Sequence, residues 1–221
     1  MLGFTEICVL VKMSNALKNV KVVAFDCDGV MFDTAQANRI YYSHLLQHFG
    51  RPALTDEQFR FVHMHTVHES VAYLFPEENT QEAAHVFRQT MDYQKYLSYL
   101  TVEPQLVALL EKLRPRIKTA IATNRTNTME RLLAEFDLDG YFDLVVTSSD
   151  VQLPKPHPDA LLKILDYFGL APHQVIYIGD SRVDELAARA AKMPLVAYCN
   201  RELAADYHID SLGELEEILD L

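Results

Sequence analysis

The chain has 221 residues, 49% hydrophobic and 23% charged, the balance of an ordinary globular protein with one core or a core and a small second unit. Its 20 Lys and Arg against 31 Asp and Glu give a formal charge of −11, with no basic run to track a phosphate backbone. That speaks against nucleic acid, and any anionic ligand would need a local cation to overcome the general repulsion.

At the N-terminus, "MLGFTEICVLVKMSN" has an apolar stretch but no basic flank and no small-residue cleavage site. Residues 1–18 are expected to form an extension that the patterns do not explain. No run approaches the roughly 18 apolar residues of a membrane span. Cys8, Cys27 and Cys199 form neither a CxxC pair nor a metal-ligand spacing, so reduced thiols in a cytoplasmic protein are expected.

The first strand signal is "KVVAF" (21–25), a continuous run that suggests burial on both faces of a parallel sheet. From Thr34 to about Thr101 no strand is expected. That stretch carries only helical patterns: "ANRIYYSHLLQHFG", "DEQFRFVHMHTVHESVAYLF" and "TQEAAHVFRQTMDYQKYLSYL". It reads as an all-α cap over 34–101, with junctions near Asp33 and Val102.

Strand and helix signals then alternate. "TAIAT" (119–123) precedes "TMERLLAEF", with Met129, Leu132, Leu133 and Phe136 at helical spacing, and "LVVTS" (144–148) precedes "PDALLKILDYFG", which ends at Gly169. "VIYIG" (175–179) leads into "VDELAARAAK", "LVAY" (195–198) follows, and "SLGELEEILDL" opens with a capping box from Ser211 to Glu214. The alternation predicts an α/β class with a doubly wound parallel sheet, its catalytic core formed by 19–33 and 102–221.

In such sheets ligands sit beyond the carboxyl ends of the strands. The polar residues fall there: Asp26 and Asp28, then Thr123, Asn124 and Arg125, then Lys155 in "PKPHPD", then Asp180 and Asp184 in "GDSRVD". Carboxylates crowded on one rim repel unless a cation sits among them, and an oxygen-only set favours Mg²⁺ over zinc. Lys155 and the Thr123 hydroxyl suit a phosphate opposite that metal.

Other readings are blander. Asp33 is expected to be structural, capping the first cap helix or bonding the turn. Cys27 should point away from Asp26 and Asp28 as a buried thiol. Asn124 and Arg125 stay open between phosphate loop and helix start. Six of nine histidines lie in the cap, and His65 and His68 of "HMHTVHES" are candidate substrate contacts or plain helix surface. A calcium EF-hand fails on spacing, because counting from Asp26 the glycine is fourth and position twelve is Ala37.

Taken together, "DCDGV", "TN" after an apolar strand, "KPHPD" and "GDSRVD" resemble, in order, the four motifs of the haloacid dehalogenase-like (HAD) hydrolase superfamily. The resemblance runs from about residue 20 to the C-terminus. The insert is similar to the small helical cap of its phosphoglycolate phosphatase-like and phosphomutase-like branch. The resemblance implies a HAD-like Rossmannoid core with Asp26 as nucleophile, forming an aspartyl-phosphate. Asp28 would act as acid and then base, with its backbone carbonyl joining Asp26 and Asp180 on Mg²⁺. Asp184 would hold a metal-bound water or orient Lys155, sharing a helical face with Asp180 if a helix starts by Ser181. Thr123, Asn124 and Lys155 would hold the phosphoryl group.

Within that family the dehalogenases lack an acid where Asp28 stands, carbon–phosphorus hydrolases need a cap lysine absent between Thr34 and Gln94, and sugar phosphomutases place a histidine where this chain has Asn38. The expectation is a Mg²⁺-dependent phosphatase for a small phosphorylated metabolite, phosphoglycolate-like or a sugar phosphate. A phosphomutase, or a non-catalytic regulatory or binding protein, is the alternative. Oligomeric state is not read from these patterns.

Overall fold

The computed structural model describes residues 19–114 and 116–221; the expected extension over 1–18, with Cys8, lies outside them. The chain enters the fold through β1 (Val22–Phe25), buried along its whole length. Val23 and Phe25 join one hydrophobic cluster while Val22 and Ala24 join another, so alternate side chains feed the cores on both faces of the sheet.

A turn leads into β2 (Phe32–Asp33), and five helices follow: α1 (Ala35–His48), α2 (Asp56–Met64), α3 (Val67–Leu74), α4 (Glu78–Thr90) and α5 (Gln94–Leu97). β3 (Thr101–Val102) then pairs antiparallel with β2, Phe32 opposite Val102 and Asp33 opposite Thr101. This ribbon, too short to show a period in sequence, holds entry to and exit from the helices side by side. The helices bury a cluster of their own that includes Tyr42, Leu45, Val62, Val71, Phe75 and Ala84.

The chain continues through α6 (Leu106–Leu113), β4 (Lys118–Ala122), α7 (Met129–Glu135), β5 (Leu144–Val146) and α8 (Asp159–Phe168). It ends with β6 (Val175–Gly179), α9 (Arg182–Ala191), β7 (Leu195–Tyr198), β8 (Tyr207–Ile209) and α10 (Leu215–Leu219). The sheet order is β5-β4-β1-β6-β7-β8, every neighbouring pair parallel. The chain moves outward from β1 to β4 and β5, then returns past β1 to lay down β6, β7 and β8. Such a reversal opens a crevice beyond the carboxyl ends of β1, β4 and β6.

All five expected strands form, and the structure adds β8, the β2–β3 ribbon and α6. Two of the long helical patterns are broken. "DEQFRFVHMHTVHESVAYLF" divides at His65, whose backbone is extended, because Thr66 starts α3 with a capping box in which its hydroxyl takes the Glu69 N–H and Glu69 takes the Thr66 N–H. The third pattern divides between α4 and α5. No helix among the described residues is long and apolar enough to cross a membrane.

Candidate active site

Asp26 follows β1 directly, its N–H bonded to Ile178 O of β6 at 2.8 Å, which places the carboxyl at the centre of the crevice. Lys155, on the loop between β5 and α8, is 1% exposed and points at it. Its ammonium lies 2.8 Å from Asp26 Oδ1, 2.7 Å from Asp184 Oδ1 and 2.8 Å from the Tyr177 hydroxyl, so all three hydrogens have partners. Asp184, in the first turn of α9, also takes the Ser181 N–H at 3.1 Å and the Ser181 hydroxyl. A Cβ on Gly179 would fall 2.4 Å from Asp184 Cβ, so only glycine lets the helix come this close.

Asn124 secures the lysine from behind. Its Nδ2 donates to Lys155 O and its Oδ1 accepts from Lys155 N, both at 2.9 Å. The residue itself lines the cavity with Thr123, while its side-chain amide clamps the backbone of the lysine. Thr123 is buried beside it, and its Oγ1 accepts from Arg125 N at 3.2 Å.

Charge around this lysine is uneven. Asp26, Asp180 and Asp184 can each offer an oxygen within 4.8 Å of the others. Burial pushes Asp26 up to about 7, with Asp184 and Asp28 adding to the rise and Lys155 opposing it. Asp180 is raised well above the usual carboxylate range by burial, then by Asp184 and Asp26. For Asp184 the upward push of burial is outweighed by Lys155 and by the Ser181 and Tyr177 hydrogen bonds, and it lies low. The lysine's charge is therefore largely answered by Asp184, and Asp26 and Asp180 are left facing each other. Gly29, at φ +81°, makes room for this pair, since a Cβ there would meet Asp180 Oδ2 at 2.1 Å. An oxygen-only, over-negative pocket of this kind fits a hard divalent cation such as Mg²⁺.

The Asp28 carboxylate is not part of that cluster. Arg125 grips it from Nε at 2.8 Å and Nη2 at 3.0 Å, while Nη1 reaches the Tyr93 hydroxyl and Thr128 Oγ1. Burial works to raise Asp28, but the charge and hydrogen bonds of Arg125 hold it below the usual value.

A cavity of about 130 Å³ stands over these groups. Asp26, Asp28, Thr123, Asn124, Lys155 and Asp180 line its floor, and Asn38, Tyr41, His63, His65, Arg88 and Tyr93 are among the residues of its helical side. His65 is there, stacked on Phe61 at 3.9 Å and bonded through Nδ1 to Phe61 O at 2.8 Å. His68 is not; it is exposed on α3 with its ring 4.8 Å from His85. The chain break at Thr66 puts the two histidines on different surfaces. Nor do Asp180 and Asp184 share a helical face, because Asp180 precedes the cap residue Ser181 and the loop brings it round. Asp33 lies outside the cavity, accepting the Ala35 N–H at 3.0 Å, and the Cys27 side chain is buried in the core.

Sequence reasoning passed over Arg88, Tyr41, His63 and Tyr93. For Arg88 a signal existed: Ala84, Phe87, Arg88 and Met91 share one helical face, and three of the four pack inward.

Comparison with known proteins gives one consistent answer. The family model described as haloacid dehalogenase-like hydrolase matches residues 23–198. A phosphoglycolate phosphatase of Photorhabdus laumondii is 31% identical over 191 residues, covering 83% of this chain and 82% of the relative. A crystal structure of a HAD-superfamily hydrolase, subfamily IA, variant 1, from Geobacter sulfurreducens superposes with a TM-score of 0.74 at 38% identity, over 91% of this chain and 97% of that one. A beta-phosphoglucomutase from Clostridium difficile shares the fold, with a TM-score of 0.79 at 19% identity over 91% of this chain and 97% of its own.

Proposed function

Since this chain belongs to the haloacid dehalogenase-like hydrolases, we propose that it is a Mg²⁺-dependent phosphatase that hydrolyses a small phosphorylated metabolite through an aspartyl-phosphate on Asp26. One observation carries the reading: a buried carboxyl at the end of the central strand touches a lysine and lies beside a second, unneutralised aspartate. The cavity of about 130 Å³ is below the roughly 300–1,000 Å³ of drug-sized pockets, which favours a substrate of few carbons, phosphoglycolate-like or a short sugar phosphate.

Asp26, Asp180 and the backbone carbonyl of Asp28 would hold the metal, which when bound would offset their repulsion and draw negative charge from the phosphoryl oxygens. The rest belongs to the chain. A carboxylate oxygen of Asp26 attacks phosphorus as the bond to the leaving oxygen breaks. Asp28 gives that oxygen its proton, releasing the alcohol, and then takes a proton from the water that cleaves the acyl phosphate. Such acid–base help typically contributes 10²–10⁴-fold. Arg125 holds Asp28 as the carboxylate, so Asp28 has to leave Arg125 and take up a proton from solvent before it can serve as the acid. Lys155, exchanging its contact with Asp26 for a phosphoryl oxygen, and the Thr123 hydroxyl hold the phosphoryl group, and Asp184 keeps Lys155 in place. The helical insert would act as the cap, with the β2–β3 ribbon as its junction and Tyr93 as its link to Arg125.

Asp26→Asn tests the assignment. Release of inorganic phosphate from phosphoglycolate or p-nitrophenyl phosphate should fall at least about 10³-fold while the thermal melt stays cooperative, and EDTA should abolish it in the wild type. Activity that survives the substitution would refute the nucleophile. A phosphomutase is the second reading, favoured by His63, whose Nδ1 lies 3.0 Å from Asn38 Nδ2 in the cavity wall. Phosphate retained on a sugar product, rather than released, would decide for it.

A further inference from the structure

Three lysine or arginine side chains line the cavity. Lys155 is paired with Asp26 and Asp184, and Arg125 with Asp28. Arg88 of α4 has no acid partner among the described residues, although it is half-buried. It stands where helical periodicity calls for an apolar side chain, level with Ala84 and Met91. A half-buried guanidinium in such a place gains from a partner for each of its N–H groups. Its Nε donates to His85 Nδ1 at 3.1 Å, which fixes the plane of the head group, and it lies near enough to the Tyr41 hydroxyl to counter part of the rise that burial imposes on that phenol. The fork stays unmatched by any carboxylate among the described residues, on the helical side of the cavity whose other side carries the aspartates.

We propose that Arg88 is a specificity-determining residue that binds a carboxylate on the carbon skeleton of the substrate, at the end remote from the phosphoryl group. The inference rests on the phosphatase reading and narrows its substrate class to short phosphate monoesters bearing a carboxylate, over neutral sugar phosphates. A carboxylate suits the site because the planar fork of arginine matches it in two parallel hydrogen bonds.

The test compares kcat/KM of the magnesium-loaded full chain for phosphoglycolate and for 2-hydroxyethyl phosphate, which differs by lacking the carboxylate. The wild type should prefer phosphoglycolate by about 10- to 100-fold, the worth of a hydrogen bond to a charged group. In Arg88→Gln that ratio should fall to within about threefold of unity, chiefly through a higher KM for phosphoglycolate, and Arg88→Lys should retain part of it. If Arg88→Gln fails to fold, Arg88→Met is scored on the same ratio. No preference in the wild type, or an equal loss on both esters in the variant, would overturn the assignment. If neither these esters nor p-nitrophenyl phosphate nor a short sugar phosphate is turned over, the phosphatase reading fails by itself. Calorimetric binding of both esters to the wild type and Arg88→Gln then decides on Arg88: a preference for phosphoglycolate that the variant loses upholds it, and equal binding overturns it.

Discussion

Asn124 does work that its neighbours in sequence do not reveal. It follows Thr123 at a strand end, where a phosphate loop or a helix start is the natural reading, yet its amide spans 31 positions to hold both polar groups of the Lys155 peptide. Removing it strands a buried N–H and C=O, which costs about 1–3 kcal/mol. Asn124→Ala should therefore lower the urea midpoint by that equivalent and reduce kcat more than it raises KM, because the lysine loses its aim while the pocket keeps its walls. A fall in stability with kcat unchanged would show that the clamp is structural only.

At the scale of elements, the turn after β1 and the break in the second helical pattern do the positioning. The turn depends on Gly29, the residue between Asp28 and the apolar Val30 and Met31. Its φ of +81° disfavours any side chain by about 1–2 kcal/mol, and a methyl group would also displace the Asp180 carboxylate. Gly29→Ala should thus raise the Mg²⁺ concentration needed for half-maximal activity by an order of magnitude or more, measured by metal titration, while the sheet melts only slightly earlier. The break at Thr66 was visible in sequence as a Thr followed three residues later by Glu. Its consequence was not, since only the fold shows that Met64 and His65 then turn into the cavity while His68 turns out.

For the molecule as a whole, stability should depend on pH and metal together. Asp26 is raised to about 7 in the fold from an unfolded value near 3.8, so the fold favours its protonated form. That contribution is present below about 3.8 and lost as pH rises through about 7, and Asp180 shifts in the same direction. Asp28 and Asp184, both lowered, act oppositely: their contribution is present above the ordinary carboxylate value and lost in stronger acid. Mg²⁺ must therefore displace more protons at pH 5 than at pH 8. At one fixed concentration, a hundred times its Kd at pH 8, the ion should add about 2.7 kcal/mol there, or roughly 5–11 °C in Tm for a chain of this size, and less at pH 5. Equal increments at both pH values would mean that Asp26 is not at the metal.

By itself the sequence determined five of the sheet's six strands and which polar residues follow them. Continuous runs such as "VVAF" and "VIYIG" declare strands buried on both faces, and the acids, threonine and lysine follow the runs that carry them, because these are relations between covalent neighbours. Only the tertiary structure decided which charge answers which. Arg125 reaches Asp28 across 97 positions, Lys155 reaches Asp184 across 29, and Arg88 is left without an acid among the described residues. Each of those outcomes depends on how strands and helices pack in three dimensions, and distance along the chain carries no record of it.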